Sequence, residues 1–167
     1  MSASNRSLAR IRKQLTAMRA LASRTEPELL AVAPCSGWSP SEHLDHSIKV
    51  TASIVSRLLD LDAPRGARGV SAVGRLIMLV GRIPRGRGRS PERLTGTRQT
   101  AADLQASLTK LERKLDLLAA QHLEPARGPI VPHPRFGGLT PPHALRFAEI
   151  HTDHHLRIID DILAAAR

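Results

Sequence analysis

Leu8, Ile11, Leu15, Met18 and Ala22 recur in alternating steps of three and four, the spacing that lines up one face of an α-helix. The pattern predicts a first helix over residues 4–24. A loop over 25–37 follows, punctuated by Pro27, Pro34 and Gly37. Ser39, Pro40 and Glu42 then supply a hydroxyl cap, a proline at the first helical position and an acid at the third, which starts a second helix running to about residue 61. Leu44, Ile48, Val55 and Leu59 make one apolar face of this helix, and Val50, Ile54 and Leu61 make a second. A helix apolar on two sides needs neighbours on both, so a homodimer is expected, with cover by the 62–96 segment as the alternative.

A third helix over 100–121 is the clearest: Ala101, Leu104, Leu108, Leu111, Leu115 and Leu118 keep a heptad rhythm, with Lys110 and Arg113 on the opposite side. Thr140 and Pro141 open the last helix, 141–165, whose Ala144, Ala148, Ile158, Ile159 and Ile162 fall on one side. Between these elements, residues 70–80 form a short helix before Gly81, Pro84, Gly86 and Gly88 break regular structure. Residues 124–141 are an irregular connection rich in Pro and Gly, with no strand pattern. The sum is an all-α fold: a single domain over 1–167, a four-helix bundle with long crossover connections and a short extra helix. Connections of this length are usually functional or disordered.

Composition narrows the class. Aromatic residues are 2% of the chain and tyrosine is absent, so the core must be Leu, Ile, Val and Ala. No apolar run is long enough to cross a bilayer, and Arg6, Arg10, Arg12 and Lys13 replace the apolar region of a signal peptide. A cytoplasmic protein with no membrane partner is expected. The single Cys35 excludes an intramolecular disulfide and a cysteine-based zinc knuckle, and is expected as a small buried hydrophobe.

The net charge of +10 is uneven: residues 61–98 hold nine arginines against Asp62 and Glu92. Guanidinium forks pair with phosphates or with the carboxylates of a small molecule. No aromatic stacking residues are interleaved with them, which argues against nucleic acid as the partner. Arg85, Arg87 and Arg89, in a basic lid over residues 83–91, are the candidates for binding an anionic cofactor or substrate.

Chemistry concentrates in the last helix. His151 and His155 stand four residues apart, one above the other on a helix face, and lie near the middle of its apolar side; His154 falls toward the flank. Two imidazoles on a core-facing stripe must be hydrogen-bonded or bound to a metal. The second helix offers His43 and His46, of which the helical wheel alone favours His43 weakly. Glu42, Asp45 and Asp153 are nearby carboxylates; Glu42 doubles as a capping-box acid, and Asp153 points away from the histidine face.

Trp38-Ser39-Pro40 leading to His46, followed by His151-Thr152-Asp153-His154-His155 and Leu156, resembles the DinB/YfiT-like superfamily of metal-binding four-helix-bundle proteins. The His133-Pro134 to Phe136-Gly137 segment feeding the last helix resembles one branch of it. The resemblance spans most of the chain. It implies that His46, rather than His43, joins His151 and His155 in a three-histidine site for a divalent metal, zinc or nickel by preference, with one coordination position open. That site would activate a low-molecular-weight thiol or water, for transfer or hydrolysis on a small-molecule substrate. A non-catalytic metal- or ligand-binding bundle is the alternative.

Overall fold

In the computed structural model, residues 2–66, 69–86, 90–121 and 128–166 are described. The helical periods form where their spacing places them: α1 is Ala3–Ala22, α3 Pro40–Leu59, α5 Ala101–Ala120 and α6 Pro141–Ala165, with a single turn α2 at Glu26–Leu29 and the short α4 at Ala72–Val80. Side-chain caps start most of them. Ser2, Ser71 and Thr100 accept from the backbone N–H three residues on, in Asn5, Gly74 and Asp103. Ser39 and Glu42 form the full reciprocal box at the start of α3: the Glu42 carboxylate accepts from Ser39 N–H at 2.9 Å. Thr140 stands at the cap position of α6, but its hydroxyl bonds His143 Nδ1 at 2.8 Å instead of capping.

The bundle is a ring in which α1 packs on α5 and α6, and α3 packs on the same two helices from the other side. Leu104, Leu108, Leu111, Leu115 and Leu118 of α5 meet Ile11, Leu15 and Met18 of α1 and Leu44, Val55 and Leu58 of α3 in one apolar core. Each fully buried leucine contributes about 1.5–3 kcal/mol by leaving water, which is what an aromatic-poor core relies on. On the α1 side of α6, buried Glu149 accepts from Ser7 Oγ at 3.0 Å, from Arg10 at 2.8 Å and from Arg146. This pins the two helices together.

Both apolar stripes of α3 are covered within the chain. Val50 and Ile54 are buried along with Leu44, Ile48 and Val55, while the helix ends at Leu59 and leaves Leu61 exposed in the following turn. The large exposed apolar side chains cluster instead on α4, where Val73, Leu76, Leu79 and Val80 face solvent and Leu79 is 84% exposed.

The described part of the connection before α6 is more regular than its composition suggests. Residues 124–141, expected as irregular, contain an antiparallel hairpin, β1 at Val131–His133 and β2 at Gly137–Leu139, with His133 opposite Gly137 and Val131 opposite Leu139. Three-residue strands are too short to show a period-two pattern. Gly137 has φ +79°, and a Cβ there would stand 2.7 Å from the Gly69 carbonyl, so only glycine lets the hairpin lie against the 69–71 segment. Ser71 completes that seam, its N–H donating to the Phe136 carbonyl at 3.0 Å. Cys35 is exposed, contrary to expectation. It lies inside a tight turn closed by Ser36 N–H to the Ala33 carbonyl at 3.1 Å, and the turn directs its side chain away from the core.

Candidate metal centre

The capping box that launches α3 sets His43 and His46 within its first two turns, on the side facing α6, and both are buried. From α6, His151 and His155 project toward them. The result is a layer of imidazoles where the leucine core stops: the rings of His46 and His151, His151 and His155, and His46 and His155 have centroids 4.9, 4.6 and 4.7 Å apart. One nitrogen from each of His46, His151 and His155 lies within 4.8 Å of the other two. Trp38 roofs the layer, edge-on to His46 at 5.1 Å and to His43 at 5.4 Å, and Phe147 closes it beside His151 at 5.4 Å.

His46 is held from outside the bundle. Its Nδ1 is 2.6 Å from the Leu94 carbonyl, which can only accept, so Nδ1 carries the hydrogen and Nε2 presents a lone pair inward. That carbonyl belongs to a strap clamped along α3. Asp45 accepts from Thr97 N–H at 2.8 Å, Ser41 bonds both the Gln99 N–H and its carbonyl at 2.8 Å, and Lys49 donates to the Thr95 carbonyl at 3.1 Å. His155 Nδ1 lies 2.8 Å from His43 Nδ1, and His43 Nε2 lies 2.8 Å from Ser36 Oγ. Among the described residues the buried His151 Nδ1 meets no partner, and the polar contact of that ring lies on its Nε2 side, 3.2 Å from His46 Nε2.

These rings are neutral at ordinary pH. Burial lowers the pKa of His43 to about 4 and drives His151 well below the usual histidine value; neighbouring imidazoles add to the effect in both. His155 is lowered by burial and then by His151, His46 and His43. Burial also lowers His46, opposed by its bond to the Leu94 carbonyl. Neutral imidazole is the form that ligates metal.

All three donors lie within 4.8 Å of one another, and one pair already has the spacing that a bound divalent cation imposes. Two nitrogens held about 2.0–2.1 Å from a tetrahedral ion stand about 3.3 Å apart, close to the 3.2 Å between His46 Nε2 and His151 Nε2. Inward-facing imidazole nitrogens with no oxygen among them compete for protons, whereas one cation satisfies all three at once.

The nearby carboxylates are engaged elsewhere. Glu42 closes its capping box, Asp45 takes Thr97 and Lys49, and Asp153 pairs with Arg157 at 2.9 Å. Among the described residues, His46, His151 and His155 are the group able to hold a metal ion. His154 lies at the flank, 5.1 Å from His155 by ring centroid. His133 is a turn residue: its Nδ1 accepts from the N–H groups of Arg135 and Phe136 at 3.2 and 3.1 Å, and its ring stacks on Phe136 at 4.2 Å. In the basic lid, Arg85 donates to Asp161 of α6 at 2.6 Å, and Arg87 and Arg89 lie outside the described residues.

Sequence reasoning missed Ser36 and the Leu94 carbonyl. Leu94 lies 48 positions from His46, and a backbone carbonyl has no residue-type signature.

A family model described as the DinB superfamily matches residues 9–159. Comparison with curated proteins and with solved structures gave no match.

Proposed function

The chain belongs to the DinB superfamily, and from that premise we propose that it is a metal-dependent enzyme in which His46, His151 and His155 hold one divalent cation, zinc or nickel. The observation that carries the reading is the convergence of these three neutral imidazoles, from two helices, on one point inside the bundle. Held by His46, His151 and His155, such a cation would leave one position for a small thiol or a water and would supply the pKa lowering that thiol transfer or hydrolysis needs. The chain's own groups do the rest. The Leu94 carbonyl fixes the His46 ring, Trp38 and Phe147 exclude water from two sides, and burial keeps the rings unprotonated.

The arginine lid is assigned to the acidic groups of a thiol cofactor or substrate through Arg85, Arg87 and Arg89. For Arg85 this requires exchanging Asp161 for the ligand. Residues from all four long helices share one hydrophobic cluster, which supports reading 1–167 as one domain. None of the described helices is long and apolar enough to cross a membrane.

Elemental analysis of the purified protein tests the site, with about one zinc or nickel per chain expected. A double variant, His46→Ala with His151→Ala, should lose it, and full occupancy in that variant refutes the assignment. The second reading, a non-catalytic metal- or ligand-binding protein, is favoured by the seclusion of two of the three histidines: His46 is 5% and His155 8% exposed, while His151 is half-buried. Thiol-transfer and hydrolysis assays with and without chelator decide between them. An activity that survives both chelation and His155→Ala leaves the metal outside catalysis.

A further inference from the structure

Two contacts run outward from His155 in series, Nδ1 to His43 Nδ1 at 2.8 Å and His43 Nε2 to Ser36 Oγ at 2.8 Å. A neutral imidazole has one N–H and one lone pair, so each contact holds one hydrogen and the series has two possible orders. In one order Ser36 donates to His43 and His43 donates to His155. His155 then carries its own hydrogen on Nε2, and neither of its nitrogens is available to a cation. In the other order His155 Nδ1–H donates to His43, His43 Nε2–H donates to Ser36, and His155 Nε2 is a free lone pair. Ser36 tolerates the second order: its oxygen accepts from His43 beside the N–H of Trp38, 3.0 Å away, and its half-buried position lets its own hydrogen reach water.

We infer that His43 is a positioning residue for the metal centre, accepting from His155 Nδ1–H and passing its own hydrogen to Ser36, so that His155 Nε2 is the donor offered to the cation. This rests on the three-histidine reading above. It also explains why a fourth histidine lies buried in the layer without belonging to the converging group: its two nitrogens are spent on Ser36 and His155. The corresponding partner of His46 is the Leu94 carbonyl, a fixed acceptor that admits one tautomer only. His43 is an acceptor only when its hydrogen lies on Nε2, and Ser36 provides for that.

The test is zinc affinity by competition with a chromogenic chelator, with thermal melts to confirm folding. His43→Leu removes the acceptor and should weaken zinc binding about 10- to 100-fold. His43→Asn places a carboxamide oxygen near the position of Nδ1 and should recover most of that loss, which a packing role for the ring would not predict. In the zinc-loaded wild type, the ring nitrogen signals in NMR should show His155 protonated on Nδ1 and His43 on Nε2. Unchanged affinity in folded His43→Leu, or His43 protonated on Nδ1 in the loaded protein, overturns this proposal alone. A wild type that takes up no zinc or nickel overturns the three-histidine reading and this proposal with it.

Discussion

Burying several imidazoles in one layer makes stability depend on pH at the level of single residues. His43, His46, His151 and His155 all have folded-state pKa values below the ordinary 6.5, with burial the largest cause in each; His133, in the hairpin, is lowered to about 4 for the same reason. The unfolded chain therefore binds more protons than the folded one below about pH 6.5. The contribution of these neutral rings is complete above that value and is lost as the pH falls through the folded values, about 4 for His43. Each ring that must stay neutral costs about 1.4 kcal/mol per pH unit in that window. Thermal melts of chelator-treated protein should show the midpoint dropping between about pH 7 and about pH 4.5, and more shallowly in a His43→Leu variant. A midpoint independent of pH across that range would mean the rings are solvated.

At the scale of elements, the strap over residues 94–100 matters as much as the helices it crosses. Gly96 lies so close to α3 that a Cβ there would stand 2.1 Å from the Glu42 carbonyl, a backbone atom that cannot swing aside. Gly96→Ala must lift the strap and with it the Leu94 carbonyl that orients His46. The expected result is a loss of about 1–3 kcal/mol in denaturant unfolding, with metal affinity about tenfold weaker although no ligand has changed. Native-like stability and affinity in that variant would show the strap to be incidental. The hairpin makes the same point. His133-Pro134-Arg135-Phe136-Gly137 was legible as a motif, but its role, a turn tied by the His133 ring and seated by Gly137, needed the 69–71 segment beside it.

For the whole molecule, the apolar surface available for association is not where the helix pattern placed it. The second stripe of α3, on which the homodimer expectation rested, is spent inside the chain, so we propose that a homodimer forms instead through the solvent-facing Val73, Leu76, Leu79 and Val80 of α4. Light scattering at micromolar concentration should give twice the chain mass for the wild type and a single chain mass for Leu76→Glu combined with Leu79→Glu. A wild-type monomer refutes the dimer. The charge of +10 invites a second whole-molecule check, because binding to nucleic acid through phosphates weakens steeply with salt. Many of the arginines are already paired within the chain, among them Arg10 with Glu149, Arg19 with Glu112, Arg57 with Asp60 and Arg157 with Asp153.

The four long helices were decided by sequence, because helix period and capping are local: Leu104 to Leu118 mark a buried face, and Ser39, Pro40 and Glu42 start a helix wherever they occur together. The i, i+4 pair His151 and His155 was decided in the same way. The helix pattern did not decide between His43 and His46: it leaned weakly to His43, and it was the family resemblance that favoured His46, the member of the converging group. The two rings lie three residues apart on one helix, both buried, and their difference is made by partners far along the chain. The Leu94 carbonyl leaves the His46 lone pair facing inward, while Ser36 and His155 occupy both nitrogens of His43. Likewise α3, apolar on two sides in sequence, became an interior helix only once α5, α6 and the long connections had closed around it. Local spacing specifies which face of an element is apolar or can bind; which atom of that face is left free depends on contacts that exist only after the chain has folded back on itself.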